Sequence, residues 1–429
     1  MKKIALFAVL AVSVHAATAP ASGDVFDVRK FGATGDGKTK DTKAIRAACA
    51  AVAAAHGGTL LFPTPGTYYT GAFNLTSNIV LDVEKGATVL GSADGDDWPV
   101  VNIHTEWPQF SDPPAHQALV FAWQANNITL TGGGTIDGNA NSKTWWHCDN
   151  HDYPVSNPPC NGFSRPRIIE IFEARDVVIK DLTVQNSPDW NIHFSTVTNL
   201  HVHGISVIDP GDSPNTDGID LDCVTNALVE DCYFSVGDDA LCVKSGRDYE
   251  GRRYAHPSRD IIFRNIRVGT GHGITIGSES SGGVYNVTFE NIEMTGTSNG
   301  PRIKSQRGRG GVVDGITYRN VTARNLGDMV QLTLNYHTGL SPTNRTATPV
   351  MRNVLIEDCT FTAGKESDAR KPNAGVVDGL PESHIQNVTF RNVDLNGGNV
   401  EWQTCQYVDN GVCEGSTNAC PPCFEDRTK

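Results

Sequence analysis

Long apolar stretches are absent from this chain beyond its first residues. The start, MKKIALFAVLAVSVHA, places two lysines before an apolar run from Ile4 to Val14, and small residues follow up to Ala21. No later stretch is long enough to span a bilayer, so we expect no membrane partner. The short run predicts a signal peptide over residues 1–16, with cleavage between 16 and 21. An N-terminal core strand is the alternative.

The chain is also short of positive charge. Lysine and arginine number 35 against 48 acidic residues, and without Lys2 and Lys3 the remaining 33 give a net charge of −15. Nucleic-acid binding depends on many cations that contact phosphates. We therefore expect no nucleic-acid partner, and an acidic ligand would require the cations to be concentrated where it binds.

Helical segments are scarce between the short strand-like segments of the chain. Nine segments share the pattern apolar, variable, Asn or Asp, apolar, variable, apolar. They begin at 127, 176, 199, 226, 260, 286, 315, 353 and 387, which are 23 to 49 residues apart. This repetition predicts an all-β fold, a single-stranded right-handed parallel β-helix, over residues 22–400. A β-sandwich also uses short alternating strands but would not repeat one turn signature.

Asparagines occupy one repeat position in four of these segments, at Asn265, Asn291, Asn320 and Asn392. Side-chain amides stacked from coil to coil can satisfy one another and the backbone of the turn. The shared position predicts such a stack.

A helix is predicted near the N-terminus, where DTKAIRAACAAVAAAHGG runs from about Asp41 to Ala55. Asp41 and Thr42 form an N-cap signal, and glycines follow the segment. A solenoid exposes an apolar end, so we expect this helix to cap it. The preceding segment, FDVRKFGATGDGKTKDT, resembles the start of many pectin-lyase-like β-helices, including viral tailspikes.

The eleven cysteines are odd in number, which leaves at least one free thiol. Cys232 and Cys359 replace inward apolar residues of the repeat, and Cys49 lies in the predicted helix, so we expect these three in the core. Plausible bridges join Cys148 to Cys160 and Cys223 to Cys242. A Cys-rich tail over residues 401–429 holds four more, whose pairing stays open: Cys405, Cys413, Cys420 and Cys423.

Six Asn-x-Ser/Thr triplets accompany the cysteines and predict a glycoprotein: Asn74, Asn127, Asn286, Asn320, Asn344 and Asn387. Together with the signal peptide, triplets and cysteines predict a secreted, extracellular protein.

Three aspartates form the clearest chemical signal. Asp217 in SPNTDGID and the pair Asp238 and Asp239 in GDDALCVKSG are about one coil apart, and neighbouring strands lie about 4.8 Å apart. Crowded carboxylates raise one another's pKa, so one can stay protonated while another is ionised, as cleavage of a glycosidic bond requires. Capping of turns is the alternative, and for Asp220 it is at least as strong.

Cations and a histidine follow on the next coils. His272 lies between two glycines in GHGITIGS, where it can orient a carboxylate or bind substrate. Arg302 and Lys304 alternate around Ile303, so on a strand they share one face. Two such cations suit a substrate carboxylate, and the alternative is compensation of the aspartates. Further positive charge near these clusters comes from Lys244, Arg247, Arg252, Arg253, Arg307 and Arg309.

The four clusters, in this order, resemble glycoside hydrolase family 28, the polygalacturonases. The family motifs NTD, DD, G-H-G and R-I-K read here Asn215-Thr216-Asp217, Asp238-Asp239, Gly271-His272-Gly273 and Arg302-Ile303-Lys304. The resemblance covers essentially the whole mature chain. It implies a parallel β-helix that hydrolyses α-1,4-linked galacturonate in pectin with inversion, without a metal or cofactor. We expect a monomer.

The resemblance also implies roles for the site residues. Asp239 looks like the general acid, and Asp217 and Asp238 look like the pair that activates water. His272 supports the carboxylates, and Arg302 and Lys304 hold a galacturonate carboxylate. Tyr336, in LTLNYH, matches a tyrosine that lines the family's site, and Asn215 is a substrate or turn contact.

Two departures from the family pattern stand out. Many members place cysteine after the DD motif, whereas Ala240 follows here, so that disulfide is absent or rerouted through Cys242. The insertion KSGRDYEGRRYAHPSRD resembles one in exo-acting relatives, which favours exo over endo action.

Three rival functions remain. A calcium-dependent pectate lyase shares fold and substrate. The intact R-I-K motif argues against a rhamnogalacturonan hydrolase, and the three aspartates argue against a non-catalytic pectin-binding β-helix.

Overall fold

The computed structural model describes residues 23–101, 114–148, 157–336, 347–364, 373–397, 401–418 and 420–427. The predicted signal peptide, its cleavage region and Asn344 lie outside these residues. Within them, no helix is both long and apolar enough to cross a membrane.

Strands dominate the described chain. The first are β1 (Val25–Asp27), β2 (Asp36–Lys40), β3 (Gly58–Phe62), β4 (Gly66–Thr70), β5 (Phe73–Asn74), β6 (Ile79–Val83), β7 (Ala87–Gly91), β8 (Val100–Val101), β9 (Ala115–His116), β10 (Val120–Trp123), β11 (Asn126–Thr131) and β12 (Thr135–Asp137). The middle strands are β13 (Ile169–Lys180), β14 (Thr183–Gln185), β15 (Ile192–His203), β16 (Ser206–Ile208), β17 (Ile219–Asp222), β18 (Thr225–Glu230), β19 (Tyr233–Ser235), β20 (Leu241–Lys244), β21 (Ser258–Val268), β22 (Ile274–Gly277), β23 (Val284–Thr295) and β24 (Pro301–Lys304). The last are β25 (Val312–Leu326), β26 (Asp328–Thr333), β27 (Val350–Ala363), β28 (Asn373–Asp378), β29 (Ile385–Asn396), β30 (Trp402–Gln406), β31 (Val408–Glu414) and β32 (Glu425–Asp426). The helices are α1 (Thr42–Ala54) and α2 (Asp248–Tyr254), with short 3-10 turns at Val28–Phe31, Gly95–Asp97 and Trp146–Cys148.

The strands form a right-handed parallel β-helix, as the repeats predict. Face A stacks β5, β10, the starts of β13 and β15, β17, β20, β22, β24, β26, β28 and β30. Face B runs from β1 through β3, β6 and β11 to β31 and β32, and face C contains β2, β4, β7, β12, β14, β16 and β19. Only β8 and β9 form a separate antiparallel pair among the described residues.

Alternation along each strand builds the core. Phe263, Phe289 and Tyr318 occupy equivalent inward positions on β21, β23 and β25, and their rings stack at 4.8 and 4.9 Å. Burial of such side chains stabilises each coil by about 1.5–3 kcal/mol per residue. The core therefore runs along the axis of the solenoid, and the outward residues of face A are free for other uses.

The asparagine stack is confirmed. The Asn291 amide donates to Asn265 at 3.2 Å, and the Asn320 amide donates to Asn291 at 2.8 Å. Asn392 donates to Asp358 at 2.9 Å. Each of these asparagines has positive φ, a backbone conformation that asparagine tolerates better than most residues.

The N-terminal helix is confirmed with Asp41 as its N-cap residue, but the Asp41 side chain does not cap the helix. Helix α1 buries Ile45, Ala48 and Val52, and its Asp41 N-cap makes no side-chain hydrogen bond to the helix. The Asp41 carboxylate instead accepts from the backbone N–H groups of Thr34 and Gly35 at 2.7 and 3.0 Å. A loop before the helix therefore takes the acceptor that the first turn would use.

Three disulfides form, and one predicted bridge is wrong. Cys148 pairs with Cys160, and the tail pairs are Cys405 with Cys423 and Cys413 with Cys420. Free thiols remain at Cys49, Cys223, Cys232, Cys242 and Cys359.

The failed bridge has a simple geometric cause. The Cys223 thiol, at a left-handed turn residue, donates to Asp222, whereas the Cys242 thiol lies outward on β20 and contacts Asp239 and the carbonyl of Gly277. Cys232 and Cys359 are buried in the core as predicted, and Cys49 packs against it half-buried.

Helix α2 was not predicted. It lies in the insertion after Lys244, and its sequence, DYEGRRY, is short and contains a central glycine. Arg309, whose side chain is almost fully buried, donates to Asp248 at 2.7 Å, while Arg252 donates to the carbonyls of Gly308 and Arg309. These contacts dock the insertion onto the loop that follows Lys304.

Candidate active site

All four polar clusters meet on face A. The strand register places Asp220, Cys242, Thr275, Arg302 and Gln331 one coil apart in a single outward column. The neighbouring column contains Asp222, Lys244, Gly277, Lys304 and Thr333. Asp217, Asp239 and His272 each lie two residues before the strand of their own coil, so they stand beside one another at the edge of this face.

Asp239 is the most enclosed of the three aspartates. Its carboxylate accepts from Lys304 Nζ at 2.7 Å, Arg302 Nη1 at 3.0 Å and Thr275 Oγ1 at 2.8 Å. Its side chain is 1% exposed. Burial opposes ionisation, but Lys304, Arg302 and Lys244 outweigh it and hold the pKa of Asp239 below its usual range.

The general-acid role of Asp239 stays a prediction, and this environment weighs against it in the free protein. A general acid must carry a proton at rest, and Asp239 is held as the ionised form by two cations. Compensation of an aspartate, the alternative reading of Arg302 and Lys304, therefore describes the free protein.

Small residues make this pairing possible. Arg302 and Lys304 lie two coils beyond Asp239, and the coil between them contributes Thr275 and Gly277. Gly277 has a φ of 93°, and a Cβ there would come within 2.1 Å of the Lys304 carbonyl. A larger residue at this position would separate the cations from Asp239.

Asp238 occupies a different environment. It accepts from the backbone N–H of Asp239 at 2.8 Å and lies 2.8 Å from Nδ1 of His272. The Asp238 side chain is 22% exposed, and that of His272 is 41% exposed. Asp238 is therefore the one of the three carboxylates that a large ligand can reach.

Asp217 is buried beside Lys244, whose ammonium group is 3.7 Å away. Two N–H groups of Asn191, from its backbone and its side chain, donate to the Asp217 carbonyl at 2.8 and 3.0 Å and fix the turn. Burial, followed by repulsion from Asp220 and Asp238, raises the pKa of Asp217 well above its usual range. Asp217 therefore favours the protonated form that Asp239 does not.

The remaining predicted residues also gather here. Lys304 Nζ lies 5.4 Å and Arg302 Cζ 5.5 Å from the ring centre of Tyr336, so the tyrosine covers both cations. The Asn215 side chain accepts from Arg165 at 2.7 Å, and Asn215 has a φ of 54°, which identifies it as a turn residue.

Comparison with known proteins decides the family. The sequence profile of the Glycosyl hydrolases family 28 matches residues 105–418. A "Probable polygalacturonase" of Vitis vinifera is 33% identical over 402 residues, which cover 90% of this chain and 78% of that protein. The chain belongs to glycoside hydrolase family 28.

Of two further relatives, one is named as an exo-acting and the other as an endo-acting enzyme. The structure of a hyperthermoactive exopolygalacturonase from Thermotoga maritima aligns with a TM-score of 0.80 at 26% identity, over 94% of this chain and 93% of that one. An endo-polygalacturonase of Pectobacterium carotovorum is 31% identical over 276 residues, which cover 60% of this chain and 63% of that protein. This family 28 enzyme is therefore a glycoside hydrolase, and the names leave its mode open.

Several residues of this family 28 site lie outside its four sequence motifs or were expected in another role. Thr275 and Gln331 orient Asp239 and Arg302, the latter through a 2.6 Å bond from Arg302 Nε. Asp220 makes no turn cap: its carboxylate is fully buried and lies 3.4 Å from Lys244. These residues can be placed in the site from the sequence only by pairing the strands of neighbouring coils, starting from the motif residues.

Of the three described clusters with enough ligand atoms for a metal ion, two lie in this site. They are Asp217, Asp220 and Cys242, and Asp238, Asp239 and His272, each within 4.8 Å. Lys244 lies against the first cluster, and Arg302 and Lys304 contact the second. Side-chain cations thus already neutralise the carboxylates that a metal would need.

Proposed function

We propose that this enzyme hydrolyses α-1,4-galacturonosidic bonds of polygalacturonate with inversion of configuration. The observation that carries the proposal is the pairing of three unlike carboxylates with Arg302, Lys304 and Tyr336 on one face. Inverting hydrolysis needs one carboxyl group to protonate the leaving oxygen and another to activate water.

Access supports a division of these roles. The glycosidic oxygen belongs to a bulky polymer, so the acid must be exposed, and Asp238 at 22% exceeds Asp217 at 5% and Asp239 at 1%. We assign Asp238 as the general acid, with His272 as its positioning partner. Asp217 and Asp239 then flank the attacking water, which is small enough to reach them. The ionised Asp239 accepts the proton of this water, and Asp217 holds the water by a hydrogen bond.

Arg302 and Lys304 suit the carboxylate of a bound galacturonate unit. In the free protein both cations contact Asp239, so a substrate carboxylate competes with Asp239 for them. When the substrate draws them away, Asp239 loses part of its stabilisation as an anion and becomes a stronger base. Recognition of a charged substrate is thereby coupled to activation of the water.

The docked insertion supports exo action. Helix α2 is fixed to the loop after Lys304 by Arg252 and Arg309. Glu279 connects Arg309 to Lys244 of the site, so the insertion forms a wall beside it. A wall beside the catalytic carboxylates limits how much polymer extends past them. We also propose that the enzyme acts as a monomer and is exported to an oxidising compartment. The three disulfides support the oxidising compartment.

A time course on polygalacturonate tests the proposal, with Asp238→Asn as the inactive control. Chromatography should show mono- or digalacturonate alone at early times. Mixed oligomers with a rapid fall in viscosity would replace exo by endo action. New unsaturated uronides would indicate a lyase, and no new reducing ends with any galacturonan would refute the function.

A further inference from the structure

Arg167 and Trp190 lie in line with the catalytic aspartates. The register pairs Ile169 with Ile192, Ile192 with Ile219 and Ile219 with Leu241. Each of these four residues is preceded, two positions earlier, by a residue of the site row. In chain order this row contains Arg167, Trp190, Asp217 and Asp239. With about 4.8 Å between coils, Arg167 is roughly 10 Å along the axis from Asp217, on the side away from Arg302.

Arg167 is held in one orientation. Its Cζ lies 4.1 Å from the ring centre of Trp190, and its Nη1 donates to Glu170, whose side chain is 2% exposed. The face of an aromatic ring attracts a guanidinium, so both contacts restrict its motion. The Arg167 side chain is nevertheless 20% exposed.

Part of the guanidinium is unused. Within the described part of the chain, the hydrogen bonds of Arg167 involve only Nη1, towards Glu170 and His193. This leaves Nε and Nη2, the edge that binds a carboxylate through two parallel bonds. Lys244 also lies over Trp190, at 4.4 Å, but it is 5% exposed and has three carboxylates within 3.7 Å. Arg167 is therefore the available cation of this group.

We infer that Arg167, supported by Trp190, forms a second subsite for a uronate carboxylate, on the side of the catalytic aspartates opposite to Arg302 and Lys304. The inference rests on the proposed galacturonan substrate, in which every sugar carries a carboxylate. A chain that lies along the axis across the three aspartates brings one such group to Arg302 and another, farther along, to Arg167. A hydrogen-bonding site for a charged group contributes to affinity only when the oligomer is long enough to reach it.

Binding in the Asp238→Asn background tests the subsite without turnover. We would titrate galacturonate oligomers of increasing length, with carboxyl-reduced oligomers as the neutral probe, by calorimetry. Adding Arg167→Gln should weaken binding of the longer charged oligomers by about 10- to 100-fold and leave the shortest and the neutral ones unchanged. Arg167→Lys keeps the charge but cannot make two parallel hydrogen bonds, so its affinity for these oligomers should lie between those of the parent and Arg167→Gln.

Controls separate a local effect from a loss of fold. Arg324→Gln removes an exposed arginine on face C and should bind every oligomer as the parent does. Urea unfolding of each variant reports folding, and Trp190→Phe keeps an aromatic support if Arg167→Gln does not fold. Equal affinity for long charged oligomers in the folded Arg167 variants, or equal losses at every length, would overturn the subsite. Turnover by the wild type is measured separately, so a failure of the proposed hydrolysis is distinguishable.

Discussion

Replacing Asp239 with asparagine removes a negative charge on which two buried cations depend. The substitution keeps the volume of the side chain. Thr275 and Arg302, which donate to the same carboxylate oxygen, can still donate to the amide oxygen, but Lys304 donates to the other oxygen and would face the amide NH2 group. Arg302 and Lys304, whose side chains are each 9% exposed, would then share no ionised partner among the described residues. Asp238→Asn is a matched control, because it makes the same chemical change one residue away on a partly exposed side chain.

The two variants should differ in stability. Removing one partner of a buried ion pair costs about 3–5 kcal/mol, because the remaining charges stay buried. At the partly exposed Asp238, loss of the contact with His272 should cost less than about 1 kcal/mol. Both variants should lose hydrolysis, so stability and not activity separates the two aspartates.

The pH dependence has a definite sign. The pKa of Asp239 is lowered in the folded protein, so its contribution to stability is fully present above the unfolded value of about 4 and is lost as the pH falls below it. The gap between wild type and Asp239→Asn should therefore stay constant at neutral and mildly acidic pH. It should narrow below about pH 4.

Urea unfolding without reductant, followed by tryptophan fluorescence, measures these differences. Asp239→Asn should unfold at a clearly lower urea concentration than Asp238→Asn, with a similar slope. An Asp239→Asn midpoint equal to that of wild type would refute the reasoning, and so would an equal loss in both variants.

Two further predictions follow from other buried groups. Burial raises the pKa of Asp220 to about 6. The charged form of Asp220 therefore lowers the free energy of unfolding of wild type as the pH rises above the unfolded value of about 4. Asp220→Asn should therefore gain stability over wild type between about pH 4 and 7, and a gain that is larger at low pH would contradict the sign. Titration with a thiol reagent should detect five thiols in unfolded, unreduced protein and few in the native protein. Three thiols would show that Cys223 and Cys242 are bridged after all.

The sequence predicted the coils well because their pattern is local. Each strand repeats the same alternation, so Ile303 was expected to point inward between Arg302 and Lys304, and it is fully buried. The asparagine stack follows from the same repeat. Helix α2 lacks such a pattern, since it is a single short segment held by Arg252 and Arg309 from elsewhere in the chain.

The electrostatics of the site could not be predicted from motifs. The motifs bring Asp239, Arg302 and Lys304 to one face, but their contacts depend on the side chains of the coil between them. Thr275 and Gly277 are small enough for the cations to reach Asp239 across two coils, and these contacts lower the pKa of Asp239. The predicted disulfide between Cys223 and Cys242 is wrong for a related reason, because spacing along the chain does not give the direction of a side chain.

The carboxylates of face A are proposed to hydrolyse a galacturonosidic bond with inversion. Proton NMR of an oligogalacturonate during the first minutes of cleavage tests it most directly, before the new reducing end mutarotates. An α-linked substrate and inversion predict that the β-anomer of the new reducing end appears first and the α-anomer grows in later. Initial formation of the α-anomer, or no cleavage, would contradict the account.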